Sequence, residues 1–254
     1  MTIDLRRPFE DLMFMSPLSE QRAERLVRFI AEGLDGTVLD VGCGWAELLL
    51  RTVEAAPESC GIGIDLDAVS IDHGRQLATE RGLDGRVTLL AGDARTVAPT
   101  RADAVICIGA SQVWGPPVEA AQPVDYASAL EAIRAMVSPG DRVVYGEGIW
   151  SRPPTPEAVA PLSGRLDELV LLPELVELAV DKALMPIAVQ EASTDEWDDF
   201  ESGYSACYAH WLVEHGLDHP DAEDVRARAA RQRGGYLNGY RSTMSMAYLA
   251  LVAV

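Results

Sequence analysis

The chain has 254 residues, enough for one α/β domain with a sizeable core and a cap, whereas two full domains would be tight. Its formal net charge of −19 leaves no basic surface that could neutralise a phosphate backbone or bind an anionic membrane, so nucleic acid and membrane are excluded as partners. No segment approaches the roughly 20 apolar residues that a membrane span requires.

The cysteines and the amino-terminal residues indicate a cellular compartment. Cys43, Cys60, Cys107 and Cys207 have no paired spacing, which favours reduced thiols over disulfides. Charged residues and a proline interrupt the amino-terminal segment before any apolar run of the kind that a signal peptide needs. We therefore expect a cytoplasmic protein.

The first elements along the chain are an apolar segment and an amphipathic helix. Residues 1–17 carry several large apolar side chains without a clear period. Two interpretations stay open for them: a helix packed on the sheet edge, or a lid over a bound cofactor. From Ser19, apolar residues recur at helical spacing as far as Ile30, which predicts one helix leading into the first strand.

The most informative stretch is a strand that breaks into two glycines and re-enters a helix. Residues 38–47 read VLDVGCGWAE, and a second strand over residues 61–65 ends on Asp65, 21 residues after Gly44. The glycines let the backbone approach a ligand closely, and the distal acid can accept hydrogen bonds from both ribose hydroxyls. This arrangement predicts a binding site for a nucleoside-containing cofactor.

The residue at position 47 separates two kinds of cofactor. A dinucleotide site has Gly or Ala at the sixth position of its glycine motif, so that a pyrophosphate can sit on the helix N-terminus. Glu47 is bulkier and negatively charged, which argues against NAD and FAD. The run LDVGCGWA over residues 39–46 resembles motif I of the class I S-adenosylmethionine-dependent methyltransferases, whose cofactor carries no phosphate, and Asp65 resembles the acid after the second strand of that family.

Further motifs follow in the order of that family. Residues 87–94 are predicted to form a third strand ending in Gly-Asp-Ala, residues 102–111 a fourth strand, and residues 142–147 a fifth. Residues 185–190 and 244–254 are predicted to form the last two strands. Strands alternating with helices predict an α/β fold with a doubly wound, mostly parallel sheet. The resemblance implies the seven-stranded, Rossmann-like methyltransferase fold.

The resemblance also implies a domain organisation and a cofactor. Residues 1–254 would form a single methyltransferase domain, with a cofactor-binding core over residues 36–150 and a helical cap over the acceptor site from residues 151–183 and 191–241. The implied cofactor is S-adenosylmethionine, with glycines against its methionine moiety and acids near its ammonium, ribose and adenine. The implied cofactor-binding residues are Asp40, Gly42, Gly44, Asp65, Leu66, Asp93, Ala94, Ile108 and Gly109.

The prediction of acceptor-binding residues depends on a resemblance to a smaller group of proteins. A Gly-Ala-Ser…Trp-Gly segment at residues 109–115 and a Gly-Glu…Trp segment at residues 146–150 resemble a set of bacterial small-molecule methyltransferases. Residues 16–19 fit that group too, although Asn is commoner where Ser16 stands. The predicted acceptor-binding residues are Ser111, Trp114, Trp150, Trp197 and Tyr204. For a phenol or carbon acceptor, Glu147 or His210 is the predicted general base.

The cap is acidic and aromatic. Between Lys182 and Arg226 there is no lysine or arginine, while aspartate and glutamate are frequent. Two interpretations stay open: a solvated acidic face, or a field that draws a cationic or amine acceptor to the site. His210, His215 and His219 also lie here, but their spacing does not bring all three onto one helix face and no HExxH motif occurs, so no metal site is predicted.

The sequence therefore predicts a methyltransferase that acts on a small molecule through an oxygen, nitrogen or carbon nucleophile, with an aromatic or amine-bearing acceptor as one possibility. A protein side-chain methyltransferase is one alternative, which an open acceptor groove would favour. A second alternative is a non-catalytic protein that binds S-adenosylmethionine. The sequence leaves the oligomeric state undetermined.

Overall fold

A single seven-stranded sheet organises the fold. The computed structural model describes residues 3–116 and 122–254. Its strands are β1 (Thr37–Val41), β2 (Cys60–Asp65), β3 (Val87–Ala91), β4 (Ala104–Ile108), β5 (Arg142–Trp150), β6 (Leu184–Glu191) and β7 (Met244–Ala253). They lie in the order β3-β2-β1-β4-β5-β7-β6. β7 runs antiparallel to both of its neighbours, and the other pairs are parallel. The predicted fold class is confirmed.

Helices cover both faces of this sheet. They are α1 (Glu20–Ala31), α2 (Glu47–Ala55), α3 (Ala68–Glu80), α4 (Ala94–Val97), α5 (Tyr126–Met136), α6 (Pro156–Val159), α7 (Leu172–Asp181), α8 (Thr194–His215) and α9 (Ala222–Gly235). The apolar faces of α1, α2 and α3 form one core cluster against the sheet. Those of α5 and α7 form a second cluster on the opposite face.

Local sequence explains these elements. α1 begins where the Ser19 side chain accepts a hydrogen bond from the Arg22 backbone N–H, which satisfies a donor left unpaired at the helix start. Along β1, Val38 and Leu39 contribute to opposite core clusters, because successive side chains of a strand point to opposite faces. A strand with both faces buried is consequently apolar from Val38 to Val41, apart from Asp40.

The strand order sets the place of a ligand site. The chain proceeds outward from β1 to β2 and β3, then returns to β4 on the other side of β1. The carboxyl ends of β1 and β4 therefore meet where the two connections diverge, and ligands of open α/β sheets bind at such a switch point.

Two features differ from the sequence-based expectation. β5 continues past its predicted end at Glu147, because it stays paired with β7 as far as Trp150 and Met244. Glu147 and Trp150 thus lie inside a strand and not in a loop beyond it. In addition, α7 packs against α5 and β6, so this part of residues 151–183 belongs to the helical layer on the sheet.

The connection from β6 to β7 holds α8 and α9, and Trp197 of α8 joins the core cluster that α1, α2 and α3 form against the sheet. α8 packs against α9, and a π-helical turn at Tyr236–Tyr240 follows α9. Within residues 3–116 and 122–254, no helix has the length and apolar character needed to cross a bilayer. Over the same ranges, no group of three or more His, Cys, Asp and Glu side chains is arranged to hold a metal ion.

Candidate cofactor and acceptor site

The turn after β1 is held in a conformation that requires glycine. Gly42 and Gly44 have φ angles of 73° and 55°, a region in which side chains are strained. A Cβ atom on Gly42 would lie 2.4 Å from the Cβ of Ala110, whereas one on Gly44 would meet only Met15, at 3.9 Å. Backbone N–H groups of Gly42 and Gly44 donate to Ile64 O and to Asp65 Oδ2, each at 2.8 Å. The turn is thereby tied to the end of β2.

Two adjoining cavities lie at this switch point. The first, which we call the loop cavity, has a volume of about 210 Å³. The second, which we call the β3 cavity, lies beside the ends of β2 and β3 and has a volume of about 310 Å³. Both cavities share the walls Gly42, Asp65, Ala110 and Gln112, so one elongated ligand can occupy both.

All nine predicted cofactor-binding residues line these cavities. The loop cavity contains Asp40, Gly42, Gly44, Asp65, Ile108 and Gly109. The β3 cavity contains Gly42, Asp65, Leu66, Asp93 and Ala94. The structure therefore brings the whole set together at one edge of the sheet.

Asp40 is a buried carboxyl group without a protein partner. It is 4% exposed, and no hydrogen bond reaches it from the described residues. Burial, together with the nearby negative charge of Asp65, raises the pKa of Asp40 from 3.8 to about 8. A cationic group in the loop cavity would reverse this shift, because an opposite charge favours the ionised carboxylate.

Asp65 and Asp93 are engaged with the backbone. The two carboxylate oxygens of Asp65 accept hydrogen bonds from the N–H groups of Gly44 and Asp67 at 2.8 and 2.9 Å, and each oxygen retains a further lone pair. Asp93 caps α4 and binds the Arg95 side chain at 2.6 Å, and this guanidinium lowers the pKa of Asp93. A ligand amine at Asp93 would share the carboxylate with Arg95.

Glu47 has a different setting from the one the sequence suggested. Its carboxylate binds Arg51 at 2.6 Å and Arg81 at 2.5 Å, so two guanidinium groups offset the charge that was expected to repel a pyrophosphate. The charge of Glu47 alone therefore does not exclude a pyrophosphate. The loop cavity as a whole disfavours one, because its lining includes Asp40 and Asp65 but no lysine or arginine.

Glu147 and Ser111 are buried behind the site. Glu147 is 8% exposed and accepts hydrogen bonds from the N–H groups of Ser111 and Gly148 at 3.0 and 2.9 Å. Burial raises its pKa. The Ser111 hydroxyl lies 2.5 Å from the Tyr145 hydroxyl. Together these contacts fix the turn after β4, whose residues Gly109, Ala110 and Gln112 line the loop cavity.

The remaining predicted acceptor residues do not line either cavity. Trp114 packs against the core, and Trp150 is buried with its indole N–H donating to Leu166 O at 3.2 Å. Trp197 is buried among the side chains of the other core cluster. Tyr204 is 36% exposed on α8. The structure thus separates these side chains, and their proposed role at an acceptor remains a prediction.

His210, the other predicted base, lies on α8 and faces the amino-terminal segment. Its Nε2 is 3.2 Å from an Asp11 carboxylate oxygen. His210 lines neither the loop cavity nor the β3 cavity. The contact therefore connects α8 to the segment before α1. His215 and His219 pack around Trp211, further along the chain.

The residues before α1, which we call the amino-terminal segment, form one wall of the loop cavity. The sequence left open whether this segment is a lid or a helix on the sheet edge. Phe14, Met15, Ser16 and Leu18 line the loop cavity, which agrees with the lid interpretation. Trp45 fixes the segment by donating from its indole N–H to Met13 O at 2.9 Å. The sequence signal was the cluster of large apolar residues in a segment without helical period.

A third cavity lies on the other side of this wall. It has a volume of about 190 Å³ and shares Phe14, Ser16 and Leu18 with the loop cavity. Its remaining walls come from residues 11–13 and from Ser19, and from three residues of α8. These α8 residues are Glu196, Asp199 and Phe200. The amino-terminal segment is thus enclosed between the glycine turn and α8.

Comparison with known proteins finds methyltransferases. A family model described as a methyltransferase domain matches residues 38–140. The methyltransferase ungE' of Aspergillus campestris is 35% identical over 69 residues, which is 26% of this chain and 20% of that protein. The chain therefore matches only about a fifth of the length of this relative.

Two solved structures resemble the whole chain. A SAM-dependent methyltransferase from Geobacter sulfurreducens, in complex with S-adenosyl-L-homocysteine, has 25% identity and a TM-score of 0.81, with 100% of both chains covered. A SAM-dependent methyltransferase from Thiobacillus denitrificans, in the same complex, has 25% identity and a TM-score of 0.80, with 99% of this chain and 100% of that chain covered.

The fold and the cavities at its switch point define a nucleoside-cofactor protein. With the matches above, the chain contains a methyltransferase domain and resembles S-adenosylmethionine-dependent methyltransferases over its whole length, and its cofactor is S-adenosylmethionine. The residues fit that group. The unpartnered carboxyl of Asp40 suits the ammonium, Asp65 retains lone pairs for ribose hydroxyls, and a loop cavity lined by acids without basic residues suits a cationic ligand that has no phosphate.

Proposed function

We propose that the protein transfers the methyl group of S-adenosylmethionine to a small molecule held beneath the amino-terminal segment. When bound, the cofactor supplies an electrophilic methyl group on a sulfonium. The residues of the chain would then have to orient an acceptor beside the methyl group and exclude water. The observation that carries the proposal is the third cavity between the amino-terminal segment and α8, which shares Phe14, Ser16 and Leu18 with the loop cavity.

The volume and the walls of this space favour a small acceptor. The third cavity has a volume of about 190 Å³, and its walls are Phe14, Leu18 and Phe200 on the apolar side and Asp11 and Asp199 on the polar side. A protein side-chain methyltransferase needs an open groove for its substrate. Here the acceptor space lies between two parts of the same chain, the amino-terminal segment and α8.

We further propose positioning roles for two of the predicted residues. Glu147 would hold the turn after β4 through its bond to the Ser111 N–H, so its effect on turnover would act through Gly109 and Gln112. His210 would hold α8 against the amino-terminal segment through Asp11. Trp197 and Tyr204 would support the same wall from α8.

Net charge and cysteine pairing support two further parts of the proposal, which are a substrate other than nucleic acid and a cytoplasmic location. The net charge of −19 disfavours a nucleic-acid substrate. All four cysteines are unpaired, which suits a reducing cytoplasm. The oligomeric state carries no proposal.

A screen of acceptors tests the proposed function. Purified protein is incubated with methyl-deuterated S-adenosylmethionine and a panel of phenols, amines, thiols and carboxylic acids, with short peptides as a separate arm, and products are identified by mass spectrometry. We expect labelled methyl groups on one class of small molecule and none on peptides. Labelling of peptides alone would support a protein methyltransferase and contradict the proposal. Tight cofactor binding without any labelled product would favour the non-catalytic alternative.

A further inference from the structure

The hydroxyl groups of Ser16 and Tyr248 form a chain of hydrogen bonds at the wall of the loop cavity, and the donors in this chain all point the same way. Tyr248 lies on β7, and its hydroxyl donates to the backbone carbonyl of Pro17 at 2.9 Å. The Ser16 Oγ lies 2.6 Å from the same tyrosine oxygen. A tyrosine hydroxyl has one proton, and a carbonyl can only accept. Since that proton is directed to Pro17, Ser16 must donate its own proton to Tyr248.

This direction leaves the Ser16 oxygen as an unused acceptor. A serine hydroxyl carries one proton and two lone pairs, and no other hydrogen bond to the Ser16 side chain occurs among residues 3–116 and 122–254. Ser16 lines both the loop cavity and the third cavity. The lone pairs are therefore available to a ligand at the junction of the two cavities.

The surroundings of Tyr248 hold this arrangement in place. Tyr248 is fully buried, and the Arg22 guanidinium stacks on its ring at 5.4 Å. Arg22 is itself fixed by a buried ion pair with Glu196 at 2.7 Å. Burial raises the pKa of Tyr248, so the phenol keeps its proton and the direction of the hydroxyl chain does not change near neutral pH.

Other polar side chains of the loop cavity are already committed. Asp65 binds the glycine turn, Glu47 binds Arg51 and Arg81, and Asp40 is the group suited to the cofactor ammonium. The walls next to Ser16 are apolar, namely Phe14 and Leu18. A ligand group beside Ser16 would thus find a neutral hydrogen-bond acceptor between two apolar side chains, at the junction of the two cavities.

We propose that Ser16 Oγ accepts a hydrogen bond from the O–H or N–H group that receives the methyl group, and so selects acceptors whose nucleophile carries a proton. This inference rests on the proposed function for the identity of the ligand. Ser16 would orient the nucleophile and would not deprotonate it, because a neutral hydroxyl is a weak base. The bond from the methyl carbon to the nucleophile would form as the bond from that carbon to sulfur breaks, and the proton of the nucleophile would pass to solvent. Pro17 and Tyr248 would act as positioning residues that keep the Ser16 proton out of the cavity.

The test uses ligands that differ in one proton-bearing group. Phenol and fluorobenzene have similar shapes, but only phenol donates a hydrogen bond. Their affinities are measured by ligand-observed NMR titration of the protein saturated with S-adenosylhomocysteine, so no turnover is required. We expect phenol to bind about five-fold more tightly than fluorobenzene, the gain of one hydrogen bond to a neutral oxygen.

Three variants separate a ligand contact from a structural role. Ser16→Ala should abolish the preference for phenol, Ser16→Thr should retain it, and Tyr248→Phe should reduce it, because the Ser16 proton would lose its fixed acceptor. Affinity for S-adenosylhomocysteine should stay within about two-fold of wild type in all three, since the predicted cofactor contacts are untouched. This control also shows that each variant is folded.

Each outcome decides the inference. Absence of phenol binding to the wild type, equal binding of both ligands, or a preference that survives in Ser16→Ala would overturn it. A preference that follows the predicted pattern in a protein that methylates nothing in the acceptor screen would uphold the Ser16 contact while contradicting the proposed function. The two hypotheses can therefore fail separately.

Discussion

The cofactor side and the acceptor side of this site are built in different ways. The cofactor side comes from turns that directly follow β1, β2, β3 and β4, and all nine residues predicted for it line two adjoining cavities. The acceptor side joins residues that are far apart in the chain, such as Ser16 and Tyr248, which are 232 positions apart. Local backbone geometry thus defines the first half, and long-range packing defines the second.

The largest expected effect tests whether the glycine turn defines the cofactor side. Gly42→Ala would place a methyl group 2.4 Å from the Cβ of Ala110 at a φ of 73°, and forcing this contact apart should weaken binding of S-adenosylhomocysteine by about 30-fold or more. Gly82→Ala is the matched control, because Gly82 has a φ of 68° with nothing within 4 Å of the added atom. Isothermal titration calorimetry measures both. Equal affinities in the two variants would contradict the role of the turn.

The next effect concerns Asp65, which joins the turn to the proposed ribose position. Asp65→Ala removes two backbone hydrogen bonds together with the acceptors proposed for the ribose, so we expect affinity for S-adenosylmethionine to fall by about ten-fold or more. Asp65→Asn retains one acceptor oxygen and should lose less. Calorimetric affinities that match wild type in both variants would exclude Asp65 from the cofactor site.

The pH dependence of binding should report the ionisation of Asp40. Because the pKa of Asp40 is about 8 in the free protein, the group holds a proton at neutral pH, and pairing with an ammonium releases it. Affinity for S-adenosylhomocysteine should therefore rise with pH, by up to about ten-fold between about pH 6 and about pH 7, where the ligand amine stays charged. Asp40→Asn should abolish this rise, and a slope that persists in that variant would assign it to another group.

The same raised pKa affects the stability of the cofactor-free protein. A carboxyl group that keeps its proton in the fold but loses it on unfolding makes the unfolded state more favourable as pH rises. This destabilisation should grow from about pH 4 to about pH 8, between the ordinary value of 3.8 and the raised value of about 8. Urea unfolding of wild type and Asp40→Asn across that range measures it, and identical pH profiles would refute it.

The smallest effect on cofactor affinity is expected on the acceptor side. Glu196→Gln leaves Arg22 buried without its charged partner and should lower the free energy of unfolding by about 3 kcal/mol. Affinity for S-adenosylhomocysteine should change by less than about two-fold. Asp224→Ala, which breaks the exposed pair with Arg228, should cost only about 0.5 kcal/mol. If cofactor affinity falls in parallel with the free energy of unfolding, the cofactor side and the acceptor side are not independent, which would contradict this prediction.

This contrast also explains how much the sequence could predict. The α/β fold and the residues predicted to bind the cofactor came from motifs of a few consecutive residues, because a turn such as Gly42 to Gly44 has a local conformational requirement. The structure confirms the fold and places those residues around two adjoining cavities. The Gly148 to Trp150 segment was expected to lie beyond the end of the fifth strand, which was predicted to end at Glu147. It lies inside β5 because pairing with β7 extends to Trp150, and such pairing is not encoded locally.

Helix α8 illustrates the same limit for side-chain direction. Its aromatic residues are close in sequence, yet Trp197 is 6% exposed and Tyr204 is 36% exposed. Which of them faces the core depends on how α8 packs against the rest of the fold. The unused lone pairs of the Ser16 oxygen could not be predicted from the sequence either, because they result from a contact with Tyr248 on the last strand of the chain.

The most direct test of the central claim compares S-adenosylhomocysteine with adenosine, which lacks the amino acid part. If one cofactor spans both cavities, Asp65→Ala weakens calorimetric binding of both ligands, because both carry the ribose. Asp40→Asn weakens binding of S-adenosylhomocysteine and leaves adenosine unchanged, because adenosine has no ammonium. An Asp40→Asn variant that loses affinity for both ligands equally, or for neither, would contradict the assignment of the loop cavity to the methionine end of the cofactor.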